Sequence, residues 1–167
     1  DRADSKRYPA VDPIDSYSKY LEYDEVIEYL NANISPGWVD SVIKAKDILL
    51  RGKEAKDQIS ILGDDGVPLD YHARFWKSEL VDRIILVQDG FDPVDKSTPM
   101  KRQAYMLNLV LKVCDTPLAF DSFEELQPYY TRLINALRQM NYQPFESADF
   151  KKYESDLESI LEERRDN

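Results

Sequence analysis

Phosphate-binding glycine loops, paired histidines, a second cysteine and long apolar runs are all missing from this chain. The single cysteine, Cys114, cannot form an internal disulfide, which is consistent with a reducing compartment. The single histidine, His72, rules out a zinc site built on two histidines, and any nucleophile-histidine arrangement would depend on it alone. No metal site is expected. The five glycines are scattered, with neither Gly-x-x-x-x-Gly-Lys-Ser/Thr nor Gly-x-Gly-x-x-Gly among them. No stretch of about 18 apolar residues and no signal-type segment occurs, so the expectation is a chain that does not itself insert into a membrane. Strand-type alternation and long internal repeats are absent as well.

What the chain does have is length for one domain, 43% hydrophobic residues for a core, and a net charge of −10. That charge argues against nucleic-acid phosphates and anionic membrane surfaces as direct partners and favours a basic protein partner. Helical spacing dominates, and the fold class expected is all-α, a bundle of five to six helices. The first 20 residues form a separate, extended segment. Pro9 and Pro13 fix their own φ and push Tyr8 and Asp12 toward extended backbone, so Tyr8 is displayed on a stiff strand of chain. Such a tyrosine is either a hydrophobic anchor or a platform for a planar ligand, and spacing alone leaves both open.

From residue 21 onward the helical domain begins, with Leu21, Val26, Ile27 and Leu30 forming a short amphipathic stretch among four tyrosines. Ser35-Pro36 reads as N-cap and first helical residue, and Gly63 as the left-handed residue that closes the segment. Val39, Val42, Ile43, Leu49, Leu50, Ile59 and Leu62 supply its apolar face. Gly52 weakens the middle by about 1 kcal/mol relative to alanine, so one long helix or two in succession would fit. Asp64-Asp-Gly-Val-Pro68 is a turn, followed by a helix from Leu69 to Gln88 with Asp70 as a cap. Asp89 to Pro93 breaks the chain again. A helix begins at Ser97-Thr-Pro99, with Tyr105, Met106, Leu109, Val110 and Val113 on its apolar face and Cys114 as a small core residue. Ser122 to Glu125 reads as a capping box for a helix reaching about Asn141. The last helix starts near Ser147 and ends in a solvated charge run, Glu162 to Asn167. His72, in the first turn of its helix, reads as a packing or surface residue. No paired acid and base stand out, so the chain alone is expected to catalyse nothing.

Three stretches carry a resemblance. Tyr8-Pro-Ala-Val-Asp-Pro-Ile-Asp-Ser16, Asp57-Gln-Ile-Ser-Ile-Leu-Gly63, and Gln88-Asp-Gly-Phe-Asp-Pro-Val-Asp95 with Lys101-Arg-Gln103 and Met106-Leu107 resemble, in that order, the C-terminal part of catalytic subunits of rotary ATPases. The first is similar to both the F-type β and the V/A-type A subunits, and the last group to the V/A-type. The resemblance implies the C-terminal domain of a V/A-type A subunit of bacterial type, taken from a longer chain. It also implies that residues 1–20 link to a nucleotide-binding domain.

The same resemblance implies an adenine pocket closed by Tyr8 on one face and Phe91 on the other, with Gln88 lining it. It implies a loop, Asp64, Asp65, Gly66, Val67 and Pro68, that faces a central rotor shaft. The F-type family carries the acidic run Asp-Glu-Leu-Ser-Glu-Glu-Asp at that place, and this chain has only three aspartates nearby, for which turn and cap chemistry is the plain alternative. Phosphate loop, magnesium site and water-positioning carboxylate would lie in the preceding domain, and a neighbouring B subunit would supply an arginine. Stacking on an aromatic side chain contributes about 1–3 kcal/mol, and millimolar binding already needs about 4 kcal/mol. The chain alone is therefore expected to hold no cofactor, while the parent would use ATP or ADP with Mg. The partners implied are the rest of the A subunit, B subunits in an alternating hexamer and the central stalk, on the cytoplasmic face of the cell membrane. By itself the chain is expected to be a monomer. The alternative is an acidic helical interaction module with no nucleotide role.

Overall fold

The computed structural model describes residues 37–86 and 100–166, together with the single positions Asp24, Glu28 and Ala32. Within them five α-helices follow one another: α1 (Trp38–Leu62), α2 (Leu69–Val81), α3 (Met100–Asp115), α4 (Leu126–Asn141) and α5 (Ala148–Arg164). The fold is an all-α bundle, with one isolated β-bridge, Leu118 to Arg165, among the described residues. The proline-rich segment, the breaks at residues 89–93 and 97–99, and most of the expected helix at residues 20–30 lie outside the described residues. Asp24, Glu28 and Ala32 are helical and exposed.

α1 is one unbroken helix of 25 residues, roughly 37 Å long at 1.5 Å per residue. Ser35 and Pro36, the expected cap and first helical residue, lie outside the described residues; ahead of Trp38, Gly37 takes a left-handed conformation with φ +78 and its carbonyl accepts a helical bond from Ser41 N at 3.0 Å. The face it buries also differs from the one its large apolar residues suggest. Ile43, Leu50 and Leu62 are half or more exposed, and the buried residues are Trp38, Val39 and Val42 at its start and the small residues Ala45, Gly52 and Ala55 further on.

Small residues allow the axes of α1 and α2 to approach closely. A Cβ added at Gly52 would stand 2.0 Å from Ser78 Oγ and 2.1 Å from Ser78 Cβ. The glycine that lowers intrinsic helicity is what lets the two helices pack most extensively in the bundle, and of the two arrangements the sequence left open, one long helix or two in succession, the structure has the first.

α2 passes at Asp82 into a π-helical turn, Asp82–Leu86, directly ahead of residues 87–99. Asp70 is not a cap. Pro68 occupies the N-cap position, and the Asp70 carboxylate in the first turn instead pairs with Arg74 one turn on, at 2.6 Å. α3, α4 and α5 close the core around Leu107, Val110, Leu126, Tyr130, Leu137 and Phe150, all nearly inaccessible. Cys114 lies in this core, and burial pushes its thiol up to about 12, so it stays protonated.

The capping box ahead of α4 is half formed. Glu125 accepts from Asp121 N at 2.8 Å, while the Ser122 hydroxyl caps nothing and a 3-10 turn, Phe123–Glu125, precedes the helix. Ser147 does cap α5, accepting from Phe150 N at 3.2 Å.

The charged end of α5 is solvent-facing as expected at Glu162, Glu163 and Asp166, and its backbone is also pinned. Ala119 N donates to Arg164 O at 2.8 Å and Asp166 N to Pro117 O at 3.0 Å, because the α3–α4 connection runs alongside and offers backbone groups with no helical partner. The Arg164 guanidinium sits 5.3 Å from the Phe120 ring centre and 3.4 Å from Glu125, and Arg132 makes two bonds to Glu163 at 2.6 and 2.8 Å. Glu125 is held below the usual carboxylate range by the Asp121 N–H and then by Arg164, and Glu163 by the Arg132 hydrogen bond.

A depressed carboxylate contributes stability that is present above its unfolded pKa and is lost as pH falls through the folded one. The stability difference between the wild-type chain and Glu125→Gln should therefore be visible at neutral pH and shrink on acidification. Urea titrations at a series of pH values check this, and a difference constant with pH contradicts it.

Candidate functional site

The turn between α1 and α2 is built at the end of the longest helix, so its position follows from how α1 stops. The N–H of Gly63 still bonds Ile59 O at 2.8 Å, but its φ of 82 and ψ of 165 are extended with positive φ rather than left-handed helical as expected. That region is essentially restricted to glycine. The chain then makes a 3-10 turn, Asp64–Gly66, closed by Gly66 N to Gly63 O at 3.1 Å, and Val67 and Pro68 run extended into α2. Asp64, Asp65, Gly66 and Pro68 are exposed, and Val67 is half-buried.

His72 anchors this turn from below. It is buried, its Nε2–H donates to Asp64 O at 2.8 Å, and its ring stacks on Phe123 at 4.8 Å. A packing histidine is what the sequence suggests, and here its work is to tie a solvent-facing turn to the 3-10 turn that precedes α4. The loop is therefore braced from two sides, by its own backbone bonds and by a residue reaching it from α2.

Beside the turn lies an open cleft of about 350 Å³ whose walls include Phe75, Trp76 and Phe123, with Asp64, Glu124 and Lys56 at its polar edge. Trp76 is set in place by Phe75 edge-on at 5.4 Å and by Tyr130 stacked at 6.3 Å. Ile61 and Leu62, which follow the cleft-lining Ile59 and Ser60 on α1, are 74% and 56% exposed. Spacing assigns Leu62 to the core, and Phe123 and Glu124 carry no signal in the sequence that would associate them with a turn some 60 positions earlier.

Tyr8, Gln88 and Phe91 lie outside the described residues. The flanks of the segment that holds Gln88 and Phe91 are described: the π-helical turn on one side and the start of α3 on the other. Arg102, buried in the first turn of α3, donates to Met140 O and Gln143 O, each at 2.6 Å, and lies 5.7 Å from the Phe150 ring centre. A guanidinium at the carboxyl end of α4 meets the negative pole of that helix. Tyr105, one turn further, bonds Glu154, and its hydroxyl is pushed up to about 12 by burial and then by that carboxylate.

Among the described residues no group of three or more His, Cys, Asp and Glu side chains could hold a metal ion. No described helix is long and apolar enough to cross a membrane.

No family model matches the chain. Among individual proteins, the V-type ATP synthase alpha chain of Protochlamydia amoebophila is 32% identical over 163 residues, which is 98% of this chain and 27% of that protein. The V-type ATP synthase alpha chain of Chlamydia abortus is 36% identical over 151 residues, 90% of this chain and 25% of that protein. That of Borrelia duttonii is 31% identical over 165 residues, 99% of this chain and 26% of that protein. The chain thus spans about a quarter of the length of the curated relatives it matches.

Proposed function

The chain belongs to the V-type ATP synthase alpha chains, as their C-terminal helical domain, and from that premise we propose that it converts nucleotide occupancy in the parent subunit into a push on a central rotor shaft. The observation that carries this reading is the α1–α2 hairpin. Two helices locked together at Gly52 and Ser78 end in one braced, exposed turn, and the far end of α2 leads into the segment with Gln88 and Phe91. A stiff rod with a displayed tip at one end, leading at the other toward the segment whose Gln88 and Phe91 are proposed to contact nucleotide, is the geometry a lever requires.

In this reading Tyr8 and Phe91 stack on the two faces of an adenine ring and Gln88 lines its edge, while residues 1–20 form the hinge to the nucleotide-binding domain. The phosphate loop and the Mg site belong to that domain, so ATP or ADP with Mg is the parent's ligand. Other subunits of a V-type ATP synthase are its partners, in a hexamer alternating with B subunits around a central stalk. The assembly would sit at the cytoplasmic face of the membrane and move ions through membrane subunits. An acidic interaction module without nucleotide is not favoured, since the match to alpha chains runs through nearly the whole chain.

The experiment is deletion of residues 64–68 in the assembled parent complex. Nucleotide binding should remain, and ATP-driven ion pumping should fall by about tenfold or more, the equivalent of roughly 1.4 kcal/mol or more of lost coupling. Pumping at the wild-type rate would remove the shaft-contact role of this turn.

A further inference from the structure

A second cleft, of about 210 Å³, opens where α1, α2 and the end of α3 meet. Its position follows from the close approach at Gly52. A Cβ there would stand 3.2 Å from Arg74 O as well as against Ser78, so the long side chains beside this contact have no room between the helices and splay into the groove along it. Lys44 and Arg51 reach the cleft from α1, and Arg74 and Lys77 from α2. From α3 the wall is closed by Cys114, whose thiol donates to Lys77 O at 3.9 Å. The carboxylates lining it are two, Asp47 and Asp115. A chain with 32 acidic and 22 basic residues thus holds a cleft with a surplus of two positive charges.

The ion pairs around the cleft leave that surplus available. Arg51 pairs with Asp47 at 2.9 Å and Arg74 with Asp70 at 2.6 Å, each one turn along its own helix, and Lys44 pairs with Asp115. Solvent-exposed pairs of this kind contribute little, so a ligand can compete for the cations. Lys77 is half-buried and has no ion-pair partner among the described residues. The carboxyl end of α3 would oppose an anion, but Lys112 O is already occupied, accepting from Thr116 N at 3.0 Å and from Thr116 Oγ1 at 2.8 Å.

We propose that this cleft binds a phosphate dianion, either free or at the end of a monoester. Arg51 and Arg74 turn their guanidiniums from the helix-surface carboxylates onto the phosphate oxygens, in the paired geometry that a planar fork offers, and Lys44 and Lys77 add point charges. Charge selects the ligand. A dianion neutralises the surplus, whereas a carboxylate or a lipid phosphodiester, with one charge, neutralises half of it. The bound ligand joins α1, α2 and α3, so it also stabilises the bundle.

The test is an NMR titration of the isotope-labelled chain with sodium phosphate, and in a second series with glycerol phosphate, each at an ionic strength held constant with sodium chloride. Signals of Arg51, Arg74 and Lys77 should shift and saturate, with a midpoint on the order of 1 mM for a site open to water. Lys77→Gln and Arg51→Gln should each raise that midpoint about tenfold, as the loss of one charged hydrogen bond predicts. Asp47→Asn should lower it, and Lys151→Gln, on α5, should leave it unchanged. Signals from the core of each variant report that it is folded.

Saturation by both ligands assigns the cleft to the phosphate group, and saturation by one alone says which form it takes. Shifts that grow linearly with concentration, or a midpoint unmoved by Lys77→Gln and Arg51→Gln, would overturn the site. Binding of a polyglutamate peptide or of phosphatidylglycerol vesicles at the same signals, without saturation by either phosphate, would overturn the choice of ligand.

Discussion

Gly52→Ala is expected to lower the unfolding free energy of the domain by about 2 kcal/mol, although alanine is the better helix former by about 1 kcal/mol. The added methyl would overlap Ser78 Cβ at 2.1 Å as well as Ser78 Oγ at 2.0 Å. The hydroxyl could rotate away, but a Cβ is fixed to the backbone, so α1 and α2 must separate and lose the close packing along Ala45 and Ala55. This sets up a test with two second-site changes. Ser78→Ala keeps the obstructing Cβ and should recover little. Ser78→Gly removes it and should recover part of the loss, giving a coupling of about 1 kcal/mol between neighbours of this kind. Urea denaturation of six chains, the wild type, Gly52→Ala, the two single Ser78 variants and the two doubles, measures all of this. A Gly52→Ala chain as stable as the wild type, or more so, would mean that the helices are not held this close. The same variant in the parent complex should weaken coupling, because the rod would no longer be stiff at its middle.

Arg102→Met should cost about 3 kcal/mol, the loss expected when two hydrogen bonds from a charged donor disappear together. Met140 O, at the end of α4, also accepts from Gln143 N at 3.1 Å, and the guanidinium adds one N–H to it and one to Gln143 O, each at 2.6 Å. Methionine fills comparable volume and keeps contact with Phe150, so the loss isolates the hydrogen bonds and the charge from packing. Arg102→Lys should recover less than half, since one ammonium cannot present the planar fork that serves both carbonyls. Equilibrium unfolding is the readout, with backbone NMR shifts at Asn141 to Gln143 locating the change. Equal stability of the Met variant and the wild type would show that solvent already satisfies those carbonyls.

Much of the bundle was legible as periodicity. The apolar positions Leu126, Tyr130, Leu133, Ile134, Leu137 and Met140 repeat with the helical period, and all six are buried. Ser147 was readable as a cap because the signal is a single side chain bonding three residues ahead. The candidate site was legible only in part. The turn at Asp64 to Pro68 announces itself through glycine, aspartate and proline, while Tyr8, Gln88 and Phe91 were reached through resemblance and lie outside the described residues. α1 was legible only in part, since Val39 and Val42 are buried as their spacing suggests, whereas Ile43, Leu50 and Leu62 are exposed and Ala45, Gly52 and Ala55 are buried instead. Periodicity reports which residues are apolar, and helices that pack closely select instead for residues that are small.

The sequence by itself determined the helical class, the order and approximate ends of the described helices, the lack of a phosphate loop, and the family through motifs in order. Each of these is local, fixed by a few neighbouring residues or by a match along the chain. Only the tertiary structure decided that Gly52 faces Ser78, that His72 reaches back to Asp64 and stacks on Phe123, that Arg102 closes α4, and that the charged end of α5 is tied to Pro117 and Ala119. These pairings join residues tens of positions apart, and what selects them is the collective fit of five helices, which no local window of the chain contains.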